Sequence, residues 1–182
     1  TQSGPQIDTT TPMISSIAES PASGDLNAGK AVTVTLDMSK VVTVNTTSGK
    51  PTLTLNDGGT ATYVSGSGTN ALTFSYTVAA GQNTPDLMET AVNLNGATIE
   101  DGAGNVANLS LTGRTQSGPQ IDTTIPSVTT VAASPTSGIE VPGDTVTLTL
   151  TMSQAVTVTG TPTFTLNDGG TATYTGGSGS NA

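Results

Sequence analysis

Apolar and polar residues alternate with a period of two along much of the chain. In residues 32–38, Val32, Val34, Leu36 and Met38 fall on one face, and two threonines and Asp37 fall on the other. Because successive side chains of a β-strand point to opposite faces, this pattern predicts a strand with one buried and one wet face. The same pattern predicts further strands at 14–20, 41–46, 51–56, 59–64, 72–78, 89–94 and 107–113.

Turn-forming residues separate the predicted strands. Asn56-Asp57-Gly58-Gly59 is typical of a hairpin turn, because Asp and Gly tolerate the positive φ that tight hairpins need. Seven or eight short strands at such spacing predict an antiparallel β-sandwich. We expect its core to contain the inward-facing residues Val32, Val34, Leu36, Val42, Val44, Leu53, Leu55, Tyr63, Leu72, Phe74, Tyr76, Leu94 and Ile99.

The chain also repeats itself. TQSGPQIDTT stands at residues 1–10 and again at residues 115–124. The second copy follows the first at an offset of 114 up to Thr47 and of 111 from Pro51 onward, and 44 of 68 paired positions are identical. Such identity within one chain indicates two copies of one fold, with a length change confined to a loop.

Composition and charge narrow the possible functions. Four basic against thirteen acidic residues disfavour nucleic acid and anionic membranes as partners, because both need Lys and Arg. The chain has no His and no Cys, so its many Ser and Thr have no imidazole to activate them, and we predict no enzymatic activity. The surplus of carboxylates favours hard cations such as Ca²⁺, with simple solubility as the alternative. With no long apolar run and no signal pattern, we expect a soluble segment cut from a longer protein.

Three segments together carry a family likeness. IDTTIPSVTTV at 121–131, the strand-rich run at 145–174 and ATIEDGAGNVANLS at 97–110 resemble the bacterial immunoglobulin-like tandem repeats of large cell-surface and biofilm adhesins. The resemblance implies immunoglobulin-like β-sandwiches, an extracellular place at the bacterial surface, and a spacer role in cell adhesion and biofilm formation. It also implies the boundaries: residues 1–6 as the tail of a preceding repeat, 7–120 as a complete repeat, and 121–182 as a partial repeat lacking its last strands.

The strongest local signal for a ligand is the loop at residues 100–105, EDGAGN. Carboxylate, amide and carbonyl oxygens are the ligands that Ca²⁺ takes, and glycine lets the backbone curl round an ion. A sandwich places such a late loop at the pole where the next domain begins, so Asp101, Asn105 and Asp122 are expected to converge there. The resemblance implies Ca²⁺ at these linkers. The candidate ligands are Asp101, Asn105, Asp122, Glu100 and Asp8, with Asp8 serving the preceding junction. The alternative is that the loop is only a turn capped by its own side chains.

Other functions stay open at this stage. Neighbouring repeats of the same chain are the expected partners, and strands from other copies could complete the half domain to form a filament or surface layer. A carbohydrate-binding module would need an exposed aromatic platform, whereas Tyr63 and its counterpart Tyr174 occupy inward positions. A lysine crosslink is disfavoured, because the counterparts of Lys30 and Lys40 are Asp144 and Gln154.

Overall fold

A computed structural model describes residues 4–182 of the chain, so residues 1–3 of the predicted tail lie outside it. The described residues form strands, turns and irregular segments, with no helix, and the predicted all-β class is confirmed. No helix in this part of the chain is long and apolar enough to cross a membrane. The chain divides into two compact units, residues 1–124 and 125–182.

The strands of the first unit include most of those that the alternation predicts. They are β1 (Ile14–Ser20), β2 (Asp25–Leu26), β3 (Ala31–Asn45), β4 (Thr52–Leu55), β5 (Thr60–Ser65), β6 (Thr69–Thr77), β7 (Asn83–Thr84), β8 (Glu89–Asn93), β9 (Thr98–Asp101) and β10 (Gln120–Asp122). The hairpin turn predicted at residues 56–59 joins β4 to β5.

Two sheets organise the first unit. The larger, of seven strands, follows the order β1-β3-β6-β5-β4-β8, and β9 pairs with the far end of β3. Every pairing in this sheet is antiparallel. In the smaller sheet, β10 lies between β2 and β7, parallel to β2 and antiparallel to β7. The C-terminal segment of the first unit is therefore held by strand pairing on both edges of β10.

The alternating apolar residues of these strands form one core. Of the thirteen core residues predicted from the sequence, all are buried except Leu94, which packs partly buried against the rest. Tyr63 and Phe74 meet edge to face with ring centroids 5.7 Å apart. The core also contains Ile14, Met38, Ala61, Val78, Leu87 and Ile121. Ile121, predicted to begin the second repeat, is thus a core residue of the first unit.

Two strand predictions differ from the structure. Residues 31–38 and 41–46 form one strand, β3, whose pairing with β6 is irregular between Asp37 and Val42. Residues 107–113 form no strand but only an isolated bridge from Asn108 to Met13, followed by a turn. The alternation there arises because Ala107, Leu109 and Leu111 pack on the core without a hydrogen-bonded ladder.

The second unit repeats the local fold of the first. Its strands are β11 (Val128–Ser134), β12 (Thr147–Met152), β13 (Thr163–Thr165) and β14 (Thr171–Thr173). The register of β11 on β12 is that of β1 on β3 shifted by 114 residues, including the irregularity near its start. The register of β13 on β14 is that of β4 on β5 shifted by 111. The duplication seen in the sequence is therefore also a duplication of strand pairing.

The apolar face of the second unit is open. No residue of 125–182 is fully buried, and Val146 and Phe164 are 48% and 44% exposed. A groove of about 310 Å³ runs between Leu148, Leu150 and Tyr174. In the first unit, β6 pairs with β3 along the equivalent edge, so that Leu72 lies beside Leu36 and Phe74 beside Val34. The second unit has the same inward face without that strand.

Candidate functional site

Three of the five predicted ligands meet at one end of the first unit. Asp101 ends β9, Asn105 follows in the next loop, and Asp8 precedes β1. The ammonium group of Lys40, on β3, lies 2.6 Å from Asp8 Oδ2 and 2.7 Å from Asp101 Oδ2. Lys40 also donates to the carbonyl oxygen of Thr10 at 2.7 Å. A lysine that the sequence did not mark as part of this site thus lies at its centre.

The loop after β9 is held by the Asp101 carboxylate. Its Oδ1 accepts hydrogen bonds from the backbone N–H groups of Ala103 at 3.0 Å and Asn105 at 2.9 Å. The Asn105 amide donates to both Asp101 oxygens and, at 3.0 Å, to the Asp8 carbonyl oxygen. The bonds within the loop are those expected of a turn capped by its own side chains. The bond from Asn105 to Asp8 joins this late loop to the start of the repeat.

The charges of this cluster stabilise one another. Hydrogen bonds from Lys40 and then from Asn105 hold the pKa of Asp101 well below its usual range. Lys40 lowers the pKa of Asp8 as well, and the two carboxylates in turn raise the pKa of Lys40. All three groups are therefore charged at neutral pH.

The cluster does not offer Ca²⁺ a free place in the first unit. Asp101 Oδ1 is used by backbone N–H groups, and Oδ2 faces the Lys40 ammonium. A Ca²⁺ ion on Asp8 and Asp101 would have to displace Lys40, because the ammonium group already lies against an oxygen of each carboxylate and neutralises one of the two negative charges. Calcium binding at this loop stays a prediction, and Lys40 is the group that opposes it.

The side chains of the other two predicted ligands do not join Asp101. Glu100 precedes Asp101 in β9, so the Glu100 side chain points to the opposite face of the strand. Asp122 lies in β10 opposite Asn83, and its Oδ1 accepts a hydrogen bond from Thr124 N at 2.8 Å. Asp8 makes the equivalent bond with Thr10 N at 3.0 Å. The partner that meets Asp101 and Asn105 in the first unit is therefore Asp8 and not Asp122.

Replacing Lys40 with glutamine, the residue found at its counterpart Gln154, tests which cation this cluster needs. The Lys40→Gln variant leaves Asp8 and Asp101 without a balancing charge, so we expect its melting temperature in chelator to fall by a few degrees. Added Ca²⁺ should restore that loss in the variant and change the wild type less at this cluster. Lys50→Gln, on an exposed loop, is the control. A variant whose melting temperature rises with calcium no more than that of the wild type would show that these carboxylates do not bind the ion.

A second acidic group was not foreseen from the sequence. Glu19, at the end of β1, and Glu89, at the start of β8, are buried, with exposures of 8% and 3%. None of their four carboxylate oxygens has a hydrogen-bond partner in the structure. Burial, followed by repulsion from Glu89, raises the pKa of Glu19 to about 8, and burial also raises the pKa of Glu89. No local pattern around Glu19 in the sequence signals this pairing.

Two other candidates have structural roles. Asp57, in the hairpin turn, accepts hydrogen bonds from Gly59 N at 2.8 Å and from the Tyr76 hydroxyl at 2.5 Å. Tyr63 is 7% exposed, and its hydroxyl oxygen accepts a bond from Ser67 N. The turn predicted at residues 56–59 is confirmed, and Tyr63 packs in the core instead of forming a sugar platform.

Comparisons of the chain with protein-family models, with curated proteins and with solved structures find no match.

Proposed function

We propose that this chain is a segment of tandem immunoglobulin-like spacer repeats from a large extracellular bacterial adhesin. The observation that supports this best is the repeated strand pairing: the same registers occur twice, shifted by 114 and then 111 residues. The second unit starts at the residue that follows the first. A protein that repeats one small β-fold in direct succession gains length, which suits a role in holding a distal binding region away from the cell surface.

The strand arrangement of the first unit supports an immunoglobulin-like sandwich as the repeat. Its seven-stranded sheet curls through β3, which pairs with β1 and β6 over one half and with β9 over the other. A single core lies inside this curl, as in two-layer antiparallel folds.

The proposed setting follows from surface chemistry and from the resemblance. A net charge of −9, with only four basic residues, suits a protein that binds neither nucleic acid nor anionic membrane. Its proposed partners are the neighbouring repeats, its place is the bacterial cell surface, and its contribution to adhesion and biofilm formation is mechanical rather than enzymatic.

Calcium enters this proposal as a stiffening ion at domain junctions. In the first unit, Lys40 supplies the positive charge that binds Asp8 to Asp101. The counterpart of Lys40 in the second copy is Gln154, which carries no charge. We expect Ca²⁺ to take the place of the ammonium in repeats with glutamine at this position, since their carboxylates would otherwise be unbalanced.

Small-angle scattering tests the spacer role. The control is a variant with a flexible Gly-Ser linker of about eight residues inserted between Thr124 and Ile125. The proposal predicts that the wild type samples a narrower range of dimensions than this variant and that calcium narrows that range further. A wild type as flexible as the linker variant, with and without calcium, would rule out a rigid spacer.

Assembly by strand exchange is the second candidate function, favoured by the open apolar face of the second unit. Leu148, Leu150 and Phe164 correspond to Val34, Leu36 and Leu53, which are fully buried in the first unit. A strand from a second copy of the chain would cover this face by β-augmentation. Light scattering on the same samples decides between the two functions: a monomer supports the spacer, and a mass of two or more chains supports assembly.

A further inference from the structure

The segment at residues 115–124 closes the core of the first unit. Pro119 is buried, and Ile121 is only 1% exposed. The Leu87 N–H donates to the Pro119 carbonyl oxygen at 3.0 Å, and β10 pairs with β2 on one edge and with β7 on the other. This closing segment therefore belongs to the first unit through both its side chains and its backbone.

The same ten residues also stand at the start of the chain. There Ile7, the counterpart of Ile121, is 85% exposed. Pro5, the counterpart of Pro119, is exposed as well. Burial of large apolar side chains is a main source of folding free energy, so a segment that fits a core in one place has a core to gain in the other.

The fit of the closing segment depends on its particular residues. A Cβ atom on Gly118 would overlap the side chain of Glu19, so this close approach of the backbone requires glycine. The Gln116 side chain accepts a hydrogen bond from the Glu89 N–H at 2.7 Å and donates one to the Glu89 carbonyl oxygen at 3.1 Å. The first copy, TQSGPQ at residues 1–6, has the same glycine and glutamine in the same places. It therefore carries every residue type that this fit uses.

The residue after Ile7 is bound in the other direction, to the first unit. Asp8 Oδ2 lies 2.6 Å from the ammonium group of Lys40 on β3. Successive side chains of a strand point to opposite faces, and in β10 Ile121 is buried while Asp122 is half-buried. The same geometry at the first copy turns Ile7 away from the first unit and keeps the Asp8 carboxylate on the side of Lys40.

We propose that residues 4–7 are the closing segment of a preceding repeat, with Ile7 in the place that Ile121 takes in the first unit. The surface that receives them is the groove between the β2 and β7 strands of that repeat. This inference rests on the proposed tandem arrangement and gives it a junction. Ile7 is held by one repeat and Asp8 by the next, so no free linker separates the two repeats.

An extended chain, with one further copy of residues 1–114 placed before Thr1, tests this junction by calorimetry. Residues 1–10 then follow the added copy as residues 115–124 follow the first unit. We expect Ile7→Ala to lower the melting temperature of the added unit by about 10 °C, because it truncates a buried isoleucine. In the 182-residue chain, where Ile7 is exposed, the same change should shift melting by less than about 3 °C.

Two further variants calibrate this result. Ile121→Ala in the 182-residue chain should lower the melting temperature of the first unit by about as much as Ile7→Ala lowers that of the added unit, since both remove the same contact. Gln6→Ala is the matched control, because the side chain of its counterpart Gln120 is exposed. It should leave melting unchanged in both chains.

An Ile7→Ala variant that melts like its parent in the extended chain would overturn the proposal. So would an added unit that gives no unfolding transition, because its sequence is that of the first unit and only its closing segment is shared with a neighbour. Both outcomes differ from a failure of the spacer role, which scattering by a flexible wild type would show whatever the effect of Ile7→Ala.

Discussion

Replacing Leu36 with alanine is expected to lower the free energy of unfolding of the first unit by about 3 kcal/mol, the typical cost of a leucine-to-alanine change in a closed core. Leu36 is fully buried, with Leu72 of β6 opposite it and Ile17 of β1 on its other side. Removing three carbon atoms there leaves a cavity that neighbouring strands cannot close. Urea unfolding followed by circular dichroism measures the change, and hydrogen exchange assigns it to residues 31–45.

The chain contains its own control for this substitution. Leu150 is the same residue at the equivalent place in the second unit, but it is only partly buried and borders an open groove. Leu150→Ala should therefore cost less than about 1 kcal/mol, since much of the side chain is already in contact with water. Equal losses at the two positions would mean that another strand closes the second unit in solution.

Raising the pH is expected to destabilise the calcium-free first unit. The pKa of Glu19 is about 8 in the folded protein against 4.5 for an unperturbed glutamate, so folding favours its protonated form. The stabilisation is complete below about pH 4.5 and is lost as the pH rises through about 8. Water and relaxation of the neighbouring Glu89 reduce the cost of ionising Glu19, so we expect the free energy of unfolding to fall by about 2 kcal/mol between about pH 5 and pH 9.

The measurement is thermal unfolding across this pH range in excess chelator. Glu19→Gln cannot ionise, so its stability should vary much less with pH, and at about pH 9 it should exceed that of the wild type. A wild type and a variant with the same pH profile would show that the two carboxylates are not held together in the folded state.

The strands and the core were largely predictable from the sequence, because the alternation of apolar and polar residues within a strand shows which of its faces is buried. Val32, Val34 and Leu36 needed no knowledge of their neighbours to be placed inward. The alternation at 107–113 misled, because packing against the core produces the same pattern as pairing in a sheet. Ile121 begins the recurring motif yet packs in the core of the first unit, because the sequence shows where a motif recurs but not which core receives it.

The sites were less predictable, because they depend on contacts between distant parts of the chain. Lys40 contacts Asp8 and Asp101, which lie up to 61 residues away from it along the chain, and no local pattern marks the lysine. Glu19 carries a charge and would be placed in water from its sequence alone. Its burial results from the segment near Gly118 crossing over it, a tertiary contact that spacing does not encode.

Hydrogen exchange measured by mass spectrometry on the intact chain tests whether one fold is repeated, closed in the first copy and open in the second. We expect strong protection in residues 31–45 and 69–77, where β3 lies between β1 and β6. Exchange should be much faster in residues 147–152, the same strand without a neighbour on its second edge. Equal protection of these segments in a monomeric sample would contradict this expectation.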